Sequence, residues 1–163
     1  MSPIPRGWRR QTIGSVCQLI NGRAFKPADW SKKGLPIVRI QNLNDPMAPF
    51  NHFDGVVRDR FLIDSGVLLF AWSGTPGTSF GAHVWNGGPA ILNQHIFNVK
   101  FDGAIVDRDF LKWAINHKLD ELIDKAHGGV GLRHVTKGKV EETEIALPPL
   151  PDQRQLIAKI EDD

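Results

Sequence analysis

The chain predicts an α+β domain: a β-rich middle, one packed amphipathic helix, and the start of a second helix at the C-terminus. Three observations predict it. Short runs between about residues 35 and 101 alternate apolar and polar residues or are continuously apolar, as strands do. From Asp107 the apolar period switches to three and four, as helices require. The ending "LPPLPDQRQLIAKIEDD" is a stiff proline strap followed by a helical apolar stripe. A length of 163 residues fits one domain with a sizeable core.

Taken in order, "LPIVRIQNLND" reads as a strand ending in a turn, with Val38 and Ile40 on an apolar face and Arg39 and Gln41 on a polar one. "SGVLLFAWSG" is a continuous apolar run, the mark of a buried strand, and "TPGTSFG" is a loop. "AHVWNGGPAIL" offers a strand, an Asn-Gly-Gly turn and a strand. "LNQH" puts Asn93, Gln94 and His95 inside a strand-like run, where polar groups need partners, here read as internal ones. "HIFNVKF" alternates again. In "DRDFLKWAINHKLDELIDKA", Leu111, Ile115, Leu119, Leu122 and Ala126 form one helical stripe. Asp107 or Asp109 caps its start, and Gly128 supplies the left-handed residue past its end. "EIALPPL" is a short strand running into the strap. Trp85 and Trp113 read as core, whereas Trp8 and Trp30 flank a basic region and stay open.

The last helix raises a question. Pro151 suits a first turn and Asp152 the positive end of the helix dipole. Leu156, Ile157 and Ile160 make one apolar stripe that stops after about two turns, and Glu161, Asp162 and Asp163 put negative charge where the dipole prefers positive. So short a helix is marginal alone. The expectation is that it continues in a longer protein or docks on a partner. The plain alternative is a frayed helix packed on its own domain.

Composition sets bounds. Hydrophobic residues are 41% and charged residues 23%, as in an ordinary soluble chain. Cys17 is the only cysteine, which excludes an internal disulfide and points to a reducing compartment. "MSPIPRGWRRQTIG" has no apolar signal core, and no apolar run is long enough to span a membrane. The net charge is +2 but segregated. Up to Ile40, eight basic residues face the single acid Asp29, a balance of +7, so the remainder carries −5. "HGGVGLRHVTKGK" is a second acid-free stretch, with Arg133, Lys137 and Lys139 beside His127 and His134. Such blocks are the footprint of a polyanion binder.

Catalytic patterns fail one after another. The six histidines lack zinc-site spacing, and no H-E-x-x-H occurs. "KGKV" has Val140 where a phosphate loop needs a hydroxyl. Ser73 in "WSGTPG" lacks the G-x-S-x-G elbow. "NDPM" matches no methyltransferase site and reads as a turn, and Asp152 in "LPDQ" lacks the Glu-x-Lys partner that a nuclease site needs. A binder's vocabulary survives. Arg39 and Gln41, with Asn42 beside them, suit base edges, although a wet strand face explains the first two equally. Ser73, Thr75 and Thr78 lie on a small-residue loop where backbone and hydroxyls approach a phosphate.

Four stretches, in order, resemble a target recognition domain of a type I restriction–modification specificity subunit. They are "GWRRQTIGSVCQLINGRAF" with "GLPIVRIQNLN"; "SGVLLFAWSGTPG"; "ILNQHIFNV"; and "GVGLRHVTKGKVEETEIALPPLPDQRQLIAKI". The chain departs in having Gly66-Val67 where the family has Gly-Asp. The resemblance implies a single DNA target recognition domain over residues 1–150 and the start of a long spacer helix over 151–163. It implies a non-catalytic subunit, without cofactor or metal, that reads one half of a bipartite target in double-stranded DNA. Its partners would be DNA methyltransferase (modification) subunits and, for cleavage, a motor–nuclease (restriction) subunit, in the cytoplasm and without a membrane. The expected DNA-binding residues are Arg39, Gln41, Asn42, Ser73, Thr75, Thr78, Arg133, His134, Lys137 and Lys139; Leu156, Ile157 and Ile160 would face a partner helix. The abrupt end favours a fragment of a two-domain subunit over a half-size subunit. Two alternatives stand beside this reading: a recognition module of a fused single-chain restriction–methylation enzyme, and a small hydrolase or transferase using Ser73 or a histidine.

Overall fold

The computed structural model describes residues 4–45, 47–72, 80–125 and 136–162. The chain runs β1 (Arg9–Thr12), α1 (Ile13–Val16), β2 (Cys17–Asn21), β3 (Leu35–Val38), α2 (Ile40–Asn44), β4 (Asn51–Phe53), β5 (Leu62–Ile63), β6 (Leu68–Ala71), β7 (Gly81–Val84), β8 (Ala90–Leu92), β9 (Ile96–Phe101), α3 (Arg108–Lys125), α4 (Lys137–Glu142), β10 (Glu144–Leu147) and α5 (Leu150–Asp162). One four-stranded sheet has the order β2-β9-β6-β7 and is antiparallel throughout. The other has the order β4-β3-β8-β5, with β3 and β8 parallel. β1 and β10 form a separate antiparallel ribbon.

The continuous apolar run of β6 is explained by burial on both faces. Leu68 and Phe70 pack in a core with Leu19, Phe97 and the α3 residues Phe110, Leu111 and Ile115. Leu69, between them, points into a second core with Val38, Leu92, Ile96 and Trp85. The side-chain period of two thus hands one strand to two cores, so neither face tolerates polar residues. Each fully buried Leu or Phe contributes about 1.5–3 kcal/mol.

Asp107 caps α3: its Oδ2 accepts from the backbone N–H groups of Asp109 and Phe110, each at 3.1 Å. Further along α3, Asn116 Oδ1 accepts from Ala82 N at 2.7 Å and Asn116 Nδ2 donates to Ala82 O at 3.1 Å. That amide satisfies the edge strand β7 as a neighbouring strand would.

The strand, turn and strand of "AHVWNGGPAIL" are present, and two other expectations are corrected. The strands of "AHVWNGGPAIL" do not pair with each other: β7 belongs to one sheet and β8 to the other. The turn between them folds against Trp85, whose Nε1 donates to Gly88 O at 2.9 Å. A Cβ on Gly87 would lie 2.2 Å from that indole, so the crossing needs glycine. Gln94 and His95 are not inside a strand; they form an exposed turn between β8 and β9. Trp113 is not core. It is 39% exposed and stacks on His117, with centroids 5.1 Å apart and 9° between planes, because the sheet-facing stripe of α3 is already filled by Phe110, Leu111, Ala114 and Ile115.

Candidate nucleic-acid interface

The strand expected from "LPIVRIQNLND" stops at Val38, and Ile40–Asn44 is a short helix. Asn42 causes the change. Its Oδ1 accepts from Arg39 N at 3.0 Å, an N-terminal cap made from inside the helix. Its Nδ2 lies 3.3 Å from both Ala48 O and Pro49 O and donates to them. Asn42 is only 6% exposed, so its amide serves the fold and is not offered to a ligand. Arg39 and Gln41 therefore share no strand face. Gln41 is exposed on α2. Arg39 sits at the junction, with Nη2 donating to Pro49 O at 3.4 Å and Nε buried without an acceptor.

β2 is the outer strand of its sheet. Along it lies an open groove of about 440 Å³, lined by Gln18 and Asn21 together with Arg60, Phe61 and Lys137. The two charged residues of this lining are cations. The ion pairs among the described residues are Lys33–Asp54 at 3.6 Å and Arg108–Asp109 at 3.0 Å, so neither Arg60 nor Lys137 is matched to a carboxylate. Arg60 lies over Phe61, 4.6 Å from the ring centroid. Amide side chains along an unneutralised basic groove suit a phosphate backbone.

Asn21, at the end of β2, pairs in register with the buried Phe97 of β9. Lys137 Nζ lies 5.9 Å from its ring centroid, and Trp72 stacks on the same ring at 5.9 Å and 29°. Trp72 also touches His95, at 5.5 Å between centroids. Trp72 immediately precedes "SGTPGTS", and Lys137 closely follows "HGGVGLRHVT". One aromatic side chain thus anchors described neighbours of both stretches chosen from sequence. Ser73, Thr75, Thr78, Arg133 and His134, like Gly128 and Ala126, lie outside the described residues. Lys139 is exposed, and its backbone N donates to Thr136 Oγ1 at 3.2 Å, capping α4. Gln18, Asn21 and Arg60 were missed in the sequence. The alternation of "CQLIN" was the available signal for β2, but nothing local reveals what packs beside it.

The three expected partner-helix residues separate. Ile157 is 8% exposed and belongs to the domain's own core; Leu156 is half-buried against it; Ile160 is 41% exposed. The plain alternative therefore holds for Ile157. Gln153, one turn earlier, is fully buried. Its Oε1 accepts from Asp107 N at 2.7 Å, and its Nε2 donates to Ile105 O at 3.0 Å and Pro148 O at 2.9 Å. This clamp ties the start of α5 to the loop entering α3.

Cys17 is no nucleophile at neutral pH. Burial, with Glu141 adding a smaller repulsion, pushes its thiol up to about 12, and Sγ donates to Ile13 O at 3.2 Å. No group of three or more His, Cys, Asp or Glu side chains among the described residues is placed to hold a metal ion. No helix among them is long and apolar enough to cross a membrane.

Two sheets sharing a core, a helix on one side and an open, unneutralised basic groove define an α+β domain with a surface suited to a polyanion. The sequence profile of the type I restriction modification DNA specificity domain matches residues 5–162, and the chain belongs to that family. It is 24% identical to the type I restriction enzyme EcoBI specificity subunit of Escherichia coli, over 97% of this chain and 32% of that protein. It is 27% identical to the MjaVIII specificity subunit of Methanocaldococcus jannaschii, over 98% of this chain and 36% of that one. The crystal structure of the HsdS subunit from Thermoanaerobacter tengcongensis superposes with a TM-score of 0.73 at 20% identity, covering 99% of this chain and 38% of that one. The chain thus spans about a third of the length of these specificity subunits. None of these relatives favours a hydrolase built on Ser73.

Proposed function

We propose that this chain binds double-stranded DNA sequence-specifically, as the recognition domain for one half of a bipartite target. Membership of the DNA specificity domain family supports this, and the observation that carries it is the acid-free groove along β2, which gathers Arg60 and Lys137. Phosphates lie along the groove, and exposed polar groups near its end, Gln94 and His95, approach the bases together with the residues that follow Trp72 in sequence. Of the residues chosen from sequence, Arg39, Gln41, Lys137 and Lys139 remain candidate DNA contacts, with Ser73, Thr75, Thr78, Arg133 and His134 as further candidates outside the described residues. The domain catalyses nothing. It carries a methyltransferase, and for cleavage a motor–nuclease subunit, to the target in the cytoplasm. Residues 1–150 form the recognition domain. The segment from 151 opens a spacer helix whose exposed Ile160 meets a partner helix.

The test is selection of bound duplexes from a randomised library, followed by titration at several salt concentrations. A recovered half-site, with affinity falling linearly in log salt, is the expected result. Equal retention of all sequences would overturn the reading. Calorimetry with S-adenosylmethionine and with ATP should give no saturable heat; micromolar binding of either would overturn the non-catalytic assignment.

A further inference from the structure

A second basic feature, in "NGRAF", lies outside the groove lining. β2 ends at Asn21, and Gly22 then passes so close to the end of β8 that a Cβ would lie 1.9 Å from Asn93 O. Only glycine permits this approach. The chain is then held there by Gly22 N donating to Ile96 O at 3.1 Å and Arg23 N to Leu92 O at 2.8 Å. On the other side of β8, Asn93 N donates to Val38 O at 3.1 Å. Arg23 bridges Asn93 in parallel, and the β3–β8 register continued by one residue places Arg39 beside Asn93. Arg23, Asn93 and Arg39 therefore stand in a row two strand spacings wide, about 10 Å, or about three base steps.

The Arg23 guanidinium is fixed before any ligand arrives. Its central carbon lies 4.7 Å from the ring centroid of Phe25 and 4.6 Å from that of Phe53, and the two rings meet edge-on at 5.3 Å. Nη1 is buried and has no hydrogen-bond partner. Nε and Nη2 are not among the buried unpartnered atoms, and no hydrogen bond or ion pair engages them, so this edge still meets solvent. A guanidinium immobilised by two rings, with a two-donor edge free, is built to meet two acceptors in one plane. Such a fork matches the O6 and N7 acceptors of guanine, and also two phosphate oxygens, which carry no sequence information, so the test below separates the two.

We propose that Arg23 is a specificity-determining residue that reads a guanine, donating from Nε and Nη2 to O6 and N7, with Arg39 engaging the same strand across Asn93. This rests on the DNA-reading function proposed above. The test is the same duplex selection, run with the 163-residue chain and with Arg23→Ala and Arg23→Lys. The unmodified chain should enrich a guanine at one position. Both variants should lose that preference, by about 5- to 150-fold at that position, with other positions unchanged. Arg23→Lys keeps the charge and guards against a folding failure; unchanged circular dichroism marks it as folded. Uniform weakening on all sequences would overturn guanine reading in favour of a phosphate contact. Enrichment by the unmodified chain with guanine preference intact in both variants would overturn this assignment alone. No enrichment by the unmodified chain would overturn it together with the reading beneath it.

Discussion

Gln153 and Arg23 both place a polar side chain among apolar groups, and the fold treats them in opposite ways. The Gln153 amide is fully buried and makes three hydrogen bonds to backbone groups that would otherwise be orphaned. Arg23 keeps a buried Nη1 without an acceptor while two phenylalanine rings hold its position. A satisfied buried group adds stability and specifies packing. An unsatisfied one costs stability, and at Arg23 the two rings fix the guanidinium while its other edge, Nε and Nη2, faces outward. The α3–α5 corner is thus a structural joint, whereas the end of β8 is where we place a ligand.

The largest effect that would break this contrast is expected at Ile157. Ile157→Asp places a carboxylate in the core shared with α3 and should cost more than about 4 kcal/mol. Loss of the cooperative thermal transition by circular dichroism is the expected outcome; a wild-type melt would show that α5 is dispensable to the domain. Gln153→Leu keeps the volume but strands Asp107 N, Ile105 O and Pro148 O. It should cost about 3 kcal/mol and lower Tm by about 6–12 °C, without altering which duplexes are selected. A change in selected sequence at unchanged Tm would reverse the roles assigned to the two regions.

On the other side of the contrast, Lys137→Ala should leave Tm nearly unchanged. It should weaken binding to cognate and random duplexes alike and reduce the salt slope by about one unit. A loss confined to cognate DNA would make Lys137 a base contact. Cys17 adds a pH dependence. Its folded thiol holds its proton up to about 12, against 9.0 unperturbed. Between those values the folded state binds more protons than the unfolded one, so this contribution to stability is present below about pH 9 and is lost as pH rises towards 12. Cys17→Ala should flatten that alkaline decline in urea titrations; an unchanged decline would place its origin elsewhere. The smallest effect belongs to Ile160→Asp, which should stay within about 0.5 kcal/mol because the side chain is 41% exposed. A large destabilisation would mean that the whole stripe, and not Ile157 alone, is core.

The sequence by itself determined the local patterns. The period of Leu111, Ile115 and Leu119 defined α3, and the unbroken run of Leu68 to Ala71 announced a strand buried on both faces. Asp107 was legible as a cap, and the motif order was legible as a family. These signals depend on neighbours within one or two turns, which is the range over which periodicity and capping act. Tertiary structure alone decided the rest. The Gln153 clamp spans 46 and 48 residues to Asp107 and Ile105, and Asn42 ended a strand that alternation had extended. Trp72 and Lys137 meet on Phe97, and Arg23 stands beside Asn93, only because strands distant in sequence are neighbours in their sheets. The candidate binding residues are grouped by such long-range pairing, and pairing partners leave no imprint on the local spacing of either strand.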